Sequence, residues 1–179
     1  SVVTGMLRTR LSTLLQHNIN LAAYHLPLDV HPVIGNNALL AKQLNCVRES
    51  TVKAAGVPGL LNLGRLAAPM RAVDFKQHIA DCLGRVPLHV GSADDTIETA
   101  ASCTRAAQDC LSLAAAHEVD AFITGEVSER TVHMARECGV QFFAAGHHAT
   151  EKSGVKALGE LLAEEFQLEC EFVDIPNPV

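Results

Sequence analysis

The chain has 179 residues, of which 48% are hydrophobic and 19% are charged, so it can bury a stable core as one domain or two small ones. With no Trp and only 4% aromatic residues, that core must be mainly aliphatic. The net charge of −6 and the scattered lysines and arginines argue against a nucleic acid or an anionic membrane as the main partner.

The first part of the chain predicts a helix, a strand and a second helix. MLRTRLSTLLQHN, from Met6, spaces its apolar residues like an amphipathic helix. INLAAYHL, from Ile19, is short and apolar, which is typical of a strand covered on both faces, and Pro27 prevents an easy continuation into a helix. GNNALLAKQL predicts a helix in which Asn36 or Asn37 caps the first turn.

The middle of the chain has a weaker pattern. Glycines and prolines interrupt it between Val47 and Met70, which indicates a lobe boundary or an irregular excursion. AVDFKQHIADCLG then predicts a helix that stops at Gly84. PLHVG follows as a short strand, and TIETAASC is a further strand candidate.

Helices and strands alternate in the last third. The predicted helices are AAQDCLSLAAAHE, SERTVHMAREC with Ser128 as its cap, and SGVKALGELLAEEF. The predicted strands are VDAFITGE, VQFFAAG and LECEFVDIP. This alternation implies right-handed crossovers and a largely parallel sheet, so we predict an α/β fold with mainly parallel or mixed sheets flanked by helices.

The six cysteines form no C-x-x-C pair, and we interpret them as reduced core residues. No apolar run has the length that spans a membrane, and the start, SVVTGMLRTRL, lacks a signal-peptide pattern. The predicted location is the cytoplasm.

Polar clusters follow three of the predicted strands. HLPLDVH, TGE and HHATE all lie at strand ends, and ligands of α/β sheets bind beyond the carboxyl ends of strands. His25 with Asp29, and His147 with Glu151, each place an imidazole and a carboxylate four positions apart. Divalent transition metals accept both groups. Such pairs also arise by chance, and solvated or hydrogen-bonding histidines are the alternative.

Four segments carry a family resemblance, namely INLAAYHLPLDVHPVIGNN, DAFITGEVSERTVHMARECGV, FFAAGHHATEKSGVKALGELL and EFVDIPNPV. They resemble the NIF-three-like family, often named GTP cyclohydrolase 1 type 2 homologs. The resemblance implies two α/β lobes with a two-metal centre between them. Its implied ligands here are Asp29, His147 and Glu151, with Glu151 able to touch both ions. Zinc, manganese, iron and nickel all suit such ligands.

The lobes implied by the resemblance divide the chain into three expected segments. Residues 1–46 form part of the first lobe, 47–103 form a second lobe or an insertion, and 104–179 return to the lobe of the metal site.

The same resemblance implies a metal-dependent hydrolase in which a metal-activated water attacks a nucleotide-like small molecule. His25 and His148 are the expected proton carriers. Alternatively, His25 contacts the metal ligands without binding the metal itself, and His148 bonds to backbone, substrate or metal. The alternative is a non-catalytic metal-binding interaction or regulatory protein. In either case we expect a ring-shaped homo-oligomer, a homohexamer by resemblance.

Two other polar residues near these motifs have different expectations. Glu126 either faces the cleft or caps the helix that starts at Ser128. His31 is expected to cap or pack the loop opened by Pro32, which is a structural role.

The chain departs from the family pattern in two places. Family members carry an upstream His-His-Gly motif that supplies two further ligands, and these residues do not include it. Either the natural protein has such a segment, which we expect, or it has lost half of its metal ligands. In both cases we expect the metal site to be incomplete in these residues. In addition, Arg105 stands where the family has a glycine-rich turn. It either offers a charged fork to phosphate or simply lies in the first turn of a solvated helix.

Overall fold

The computed structural model describes residues 2–179. Its helices are α1 (Gly5–Gln16), α2 (Leu26–Asp29), α3 (Asn36–Gln43), α4 (Ala72–Leu83), α5 (Leu111–Ala116), α6 (Glu129–Cys138) and α7 (His147–Phe166), with a short 3-10 helix at Gln108–Cys110. Its strands are β1 (Cys46–Ala54), β2 (Val57–Arg71), β3 (Leu88–Val90), β4 (Thr96–Cys103), β5 (Ala121–Thr124) and β6 (Gln141–Ala144).

The six strands form one mixed sheet in the order β1-β2-β4-β5-β6-β3. The central strands β4, β5 and β6 are parallel, whereas β1, β2 and β3 join antiparallel. The predicted α/β class with a mixed sheet flanked by helices is therefore confirmed.

Helices cover both faces of the sheet because its central strands are apolar on both sides. Phe122 and Phe142 face the cluster that contains Leu111 of α5 and Ala135 of α6. The next residues along, such as Ile123, face the opposite cluster, which includes side chains of α3, α4 and α7. Successive strand residues point to opposite faces, so two cores lie on one sheet.

Several predicted helix ends are confirmed. Helix α4 ends at Gly84, which adopts a left-handed conformation with φ 67°. Ser128 caps α6 through a reciprocal capping box with Thr131. Helix α7, in contrast, begins six residues earlier than the predicted SGVKALGELLAEEF, directly after Gly146 with φ 97°. His147 and Glu151 therefore lie on its first turns.

Two predicted strands are wrong. INLAAYHL forms neither helix nor strand before α2, and Ile19, Leu21 and Tyr24 are exposed, because no strand within residues 2–179 pairs with it. Pro27 lies in the first turn of α2, where its missing N–H is tolerated. LECEFVDIP likewise lacks a partner strand and runs as an irregular tail after α7.

The stretch from Val47 to Met70 is also corrected, because it is a long β-hairpin and not an irregular excursion. Strands β1 and β2 pair from Cys46 opposite Leu66 to Ala54 opposite Val57. The two-residue turn, Ala55 and Gly56, has φ values of 47° and 80°, the positive values that tight hairpins need.

Three further expectations fail locally. Gly35 is the N-cap of α3, because the side chains of the two following asparagines bond elsewhere. The helix predicted for AAQDCLSLAAAHE is shortened to the 3-10 turn and α5. All six cysteines are free, but Cys138 and Cys170 are exposed and so are not core residues.

No helix within residues 2–179 combines the length and apolarity needed to cross a bilayer.

Asp120 joins β4 to the start of β5. Its Oδ2 accepts hydrogen bonds from the backbone N–H of Glu98 at 3.0 Å, and from the backbone N–H and hydroxyl of Thr99, both at 2.8 Å. Partial burial alone would raise the pKa of Asp120, but these hydrogen bonds and the charge of Arg65 together hold the pKa below its usual value.

We expect Asp120 to make folding depend on pH in the acid range. A carboxyl whose pKa is lower in the folded state stabilises above its unfolded pKa of about 3.9, and this stabilisation is lost as pH falls through the folded pKa. Asp120→Asn should lose about 1–2 kcal/mol of unfolding free energy at pH 7. It should also show a shallower loss between about pH 5 and pH 2. Urea denaturation across this range measures both effects, with the exposed Asp94→Asn as the control.

Candidate metal centre

The parallel strands bring three loops to one edge of the sheet. Strands β4, β5 and β6 end there, and Arg105, Glu126 and His147 follow them within two or three residues. The backbone N–H of Gly125 donates to the Arg105 carbonyl at 2.9 Å, and that of Gly146 donates to the Gly125 carbonyl at 2.9 Å. A Cβ at Gly125 would lie 2.6 Å from the Arg105 oxygen, so only glycine permits this close approach.

A carboxylate lies beside each ring nitrogen of His147. Its Nδ1 lies 2.6 Å from Glu126 Oε1, and its Nε2 lies 3.2 Å from Glu151 Oε2, one turn along α7. A neutral His147 that donates Nδ1–H to Glu126 presents an unprotonated Nε2 beside Glu151. Carboxylates orient metal-binding histidines in this way. Glu126 thus lies beside His147 and does not cap α6, whose N-cap is Ser128.

Asp29 comes from α2, which packs against α7, and its side chain is only 3% exposed. Its Oδ1 accepts a hydrogen bond of 2.8 Å from Asn36 Nδ2. The Asn36 Oδ1 in turn accepts one of 2.8 Å from the backbone N–H of Gly154 on α7. Asn36 therefore links Asp29 to the helix that carries His147 and Glu151.

Four buried side-chain oxygens have no hydrogen-bond partner within the described residues, namely Asp29 Oδ2, Glu151 Oε1, Thr104 Oγ1 and Gln108 Oε1. Two belong to the carboxylates of this site, and the other two flank Arg105 along the chain. Buried polar atoms are rarely left unpaired in folded proteins. A cation beside the carboxylates would satisfy the first two.

The pKa of the Glu151 carboxyl is raised above its usual value. Burial raises its pKa most strongly and the charge of Asp29 raises it further, while His147 and Arg105 only partly oppose this. Among residues 2–179, no three His, Cys, Asp or Glu side chains converge closely enough to form a complete metal cluster as they stand. The donor set fits a metal in its chemistry, but its side chains would have to move closer together to enclose one.

Arg105 does not lie in a helix, which corrects the expectation that it is in the first turn of a solvated helix. It has a left-handed φ of 83° and precedes the 3-10 turn at Gln108–Cys110. Its side chain is 27% exposed and places Nε 3.9 Å from Asp29 Oδ2.

The other two histidines predicted to act at the site, His148 and His25, differ in their contacts. The His148 ring bonds to Asp174 at 3.0 Å, and its backbone N–H donates to the Val179 oxygen at 3.0 Å. His148 also lines, with His147 and Glu151, a cavity of about 490 Å³ that the tail after α7 partly encloses. His25 is exposed just before α2, and within residues 2–179 no side-chain hydrogen bond or ion pair ties it to the centre.

His31 has the structural role expected of it. Its Nδ1 accepts hydrogen bonds from the backbone N–H groups of Val33 at 3.3 Å and Ile34 at 3.2 Å, so it caps the loop that Pro32 opens.

Two contributors to the site were not anticipated from the sequence. Asn36 supports Asp29, and Asn37 donates to the Leu60 carbonyl and accepts from the Thr104 N–H at 2.7 Å. The sequence instead predicts that Asn36 or Asn37 caps the first turn of α3. Burial of both asparagine side chains would have indicated hydrogen bonds to distant parts of the chain. Burial, however, cannot be inferred from the local sequence pattern.

Comparisons with known proteins identify the family of the chain. The profile of the family Duf34/NIF3 (NGG1p interacting factor 3) matches residues 1–178. A protein of Pseudomonas aeruginosa named GTP cyclohydrolase 1 type 2 homolog is 51% identical over 176 residues, which cover 98% of this chain and 69% of that protein. An Escherichia coli K12 protein of the same name is 48% identical over 178 residues, with 99% and 70% covered.

Solved structures share the fold. The structure of the protein ybgI, of unknown function, has a TM-score of 0.94 and 46% identity, covering 99% of this chain and 70% of that one. A crystal structure of a Thermus thermophilus protein has a TM-score of 0.86 and 33% identity, with 100% and 70% covered. The match of the family profile over nearly all the chain, together with these relatives, establishes that the chain belongs to the Duf34/NIF3 family.

Proposed function

We propose that Asp29, His147 and Glu151 bind divalent metal ions and that this chain is part of a metal-dependent hydrolase acting on a nucleotide-like small molecule. The observation that carries the proposal is the pair of buried, unpartnered oxygens, Asp29 Oδ2 and Glu151 Oε1. Leaving buried carboxylate oxygens without a hydrogen-bond partner is costly, and a divalent ion would offset that cost. The name of the relatives, GTP cyclohydrolase 1 type 2 homolog, supports the nucleotide-like substrate class.

Each residue of the centre has a distinct task in this proposal. Glu126 holds the His147 ring so that Nε2 faces Glu151, and Asn36 holds one oxygen of Asp29 so that the other stays free. When bound, the metal would supply Lewis-acid chemistry to a hydrolysis. Zinc, manganese, iron and nickel all suit these ligands. We further propose that each subunit binds two metal ions and that these ions lie between two lobes.

The cavity beside the centre supports a small-molecule substrate. His148 and Lys152 line it, and both contact Asp174 of the tail, at 3.0 Å and 2.9 Å. We assign His148 the task of carrying a proton between substrate and solvent, because an imidazole can both accept and donate a proton. His25, exposed ahead of α2, is the second proton carrier that we propose.

A second candidate is a non-catalytic metal-binding protein that forms a ring-shaped homo-oligomer, a hexamer. The uncovered apolar side of α1 favours it. Helix α1 has no buried residue, and Met6, Leu7, Leu11 and Leu15 are exposed. Exposed apolar surface of this kind is typical of a protein interface, here between copies of the chain.

Metal affinity tests the proposed centre. We expect isothermal titration with Mn²⁺ or Zn²⁺ to detect binding to the wild-type chain and a loss of about 100-fold or more in Glu151→Gln, because a neutral amide replaces a charged ligand. Glu160→Gln, an exposed change on the same helix, should leave the affinity unchanged. Equal affinity in all three proteins would remove Glu151 from the centre.

Turnover separates the two candidate functions. The hydrolase proposal predicts that the metal-loaded protein opens the purine ring of GTP. The change in purine absorbance measures this reaction. If GTP stays intact while chelation changes the oligomer mass in light scattering, the interaction protein is the better description.

A further inference from the structure

Arg105 has a backbone that would suit glycine. Its φ of 83° lies in the left-handed region, where a side chain costs about 1 kcal/mol or more. Its carbonyl is fixed by the backbone N–H of Gly125 at 2.9 Å and the hydroxyl of Thr124 at 3.1 Å. The backbone geometry therefore does not favour arginine at this position, and any gain from the residue lies in its side chain.

The side chain of Arg105 carries a permanent positive charge into the centre. Its Nε lies 3.9 Å from Asp29 Oδ2, which is too long for a hydrogen bond but close enough for an ion pair. The guanidinium thus lies beside Asp29, and it approaches the Asp29 oxygen that has no hydrogen-bond partner within the described residues.

We propose that Arg105 is an internal counter-ion that competes with a divalent cation for Asp29 and thereby sets the metal affinity of the centre. This inference rests on the metal site proposed above. In the metal-free protein, the guanidinium compensates part of the buried negative charge. A metal ion at Asp29 Oδ2 must displace it or bind against its repulsion.

The consequence is that removing the charge should strengthen metal binding. Arg105→Gln keeps much of the side-chain length but is neutral, and Arg105→Gly is neutral and suits the backbone. Arg105→Lys keeps the charge. Arg130→Gln serves as the control because Arg130 pairs with exposed Asp109 and not with the centre.

Calorimetric titration with Mn²⁺, at fixed pH and ionic strength, measures these affinities. We expect both neutral variants to bind at least about tenfold more tightly than wild type. Arg105→Lys and Arg130→Gln should bind like wild type. Of the two neutral variants, Arg105→Gly relieves the left-handed strain, so we expect it to fold even if Arg105→Gln does not.

Thermal unfolding gives a second measurement that a merely structural role would not reproduce. With a chelator present, Arg105→Gln should unfold at a lower temperature than wild type, because Asp29 loses its counter-ion. With saturating Mn²⁺, it should gain more in unfolding temperature than wild type gains. A structural arginine would lower the unfolding temperature in both conditions and would not increase the gain from metal.

The outcomes distinguish this inference from the proposed function. If wild type binds Mn²⁺ and the neutral variants bind no more tightly, the role of Arg105 is overturned while the metal site stands. If only the neutral variants bind, Arg105 is a counter-ion but the wild-type chain is not a metal protein on its own. If none of the proteins binds Mn²⁺, both proposals are overturned.

Discussion

Replacing Gly154 by alanine should lower the free energy of unfolding by about 2 kcal/mol or more. A Cβ at this position would lie 2.4 Å from Asn36 Oδ1 and 2.8 Å from its Cγ, so Asn36 must move. It would then lose its bond to the Gly154 N–H and its hold on Asp29. The gain of about 1 kcal/mol that alanine brings to a helix interior offsets only part of this loss.

The same helix provides the matched control. A Cβ at Gly159 meets nothing within 4 Å, so Gly159→Ala should be neutral or stabilising by up to about 1 kcal/mol. Urea denaturation followed by circular dichroism measures both variants. Equal stability of Gly154→Ala and Gly159→Ala would mean that Asn36 can move freely, and the link between Asp29 and α7 would then be unimportant.

The part of the fold that the sequence predicts well is the parallel centre of the sheet. Strands β5 and β6 are short, fully buried and mostly apolar, and the helix between them has recognisable ends, Ser128 before α6 and Gly139 after it. Local signals suffice there, because a strand buried on both faces and a capped helix are each specified within about ten residues. The polar residues at the strand ends follow from this topology.

The failed predictions share a physical cause, which is that strand formation depends on a partner. INLAAYHL is as apolar as β5, yet it stays exposed because no strand in the described part of the chain pairs with it. The prediction for the β1–β2 segment fails in the opposite sense, because regular strands form where irregular structure is expected. Its glycines and prolines suggested irregular structure, but Ala55 and Gly56 simply provide the turn, and the strands pair over most of their length.

The candidate site divides in the same way. His147 and Glu151 lie four positions apart on one helix, so their contact could be expected from spacing alone. The roles of Asn36, Glu126 and Arg105 could not, since each depends on a residue far along the chain. Asn36, for example, accepts its hydrogen bond from a residue 118 positions away. Nothing in the local sequence encodes such a contact.

Asn37→Leu should have an effect of similar or larger size, a loss of about 2–5 kcal/mol in the free energy of unfolding. Asn37 is 1% exposed, donates to the Leu60 carbonyl at 2.9 Å and accepts from the Thr104 N–H at 2.7 Å. Leucine has a similar volume, so it fills the space but leaves a buried carbonyl and a buried N–H without partners. Asn20→Leu, in an exposed loop, is the control and should stay within about 0.5 kcal/mol of wild type.

The location of the damage is as informative as its size. Thr104 immediately precedes Arg105, so losing the Asn37 bond should free the loop that carries the guanidinium. Amide hydrogen exchange at Thr104 should be slow in wild type and much faster in Asn37→Leu, while Ala101 within β4 changes less. If Thr104 stays protected, Asn37 serves only α3 and the hairpin. If it is exposed, the two adjacent asparagines hold the two sides of one centre, Asn36 its carboxylate and Asn37 its arginine.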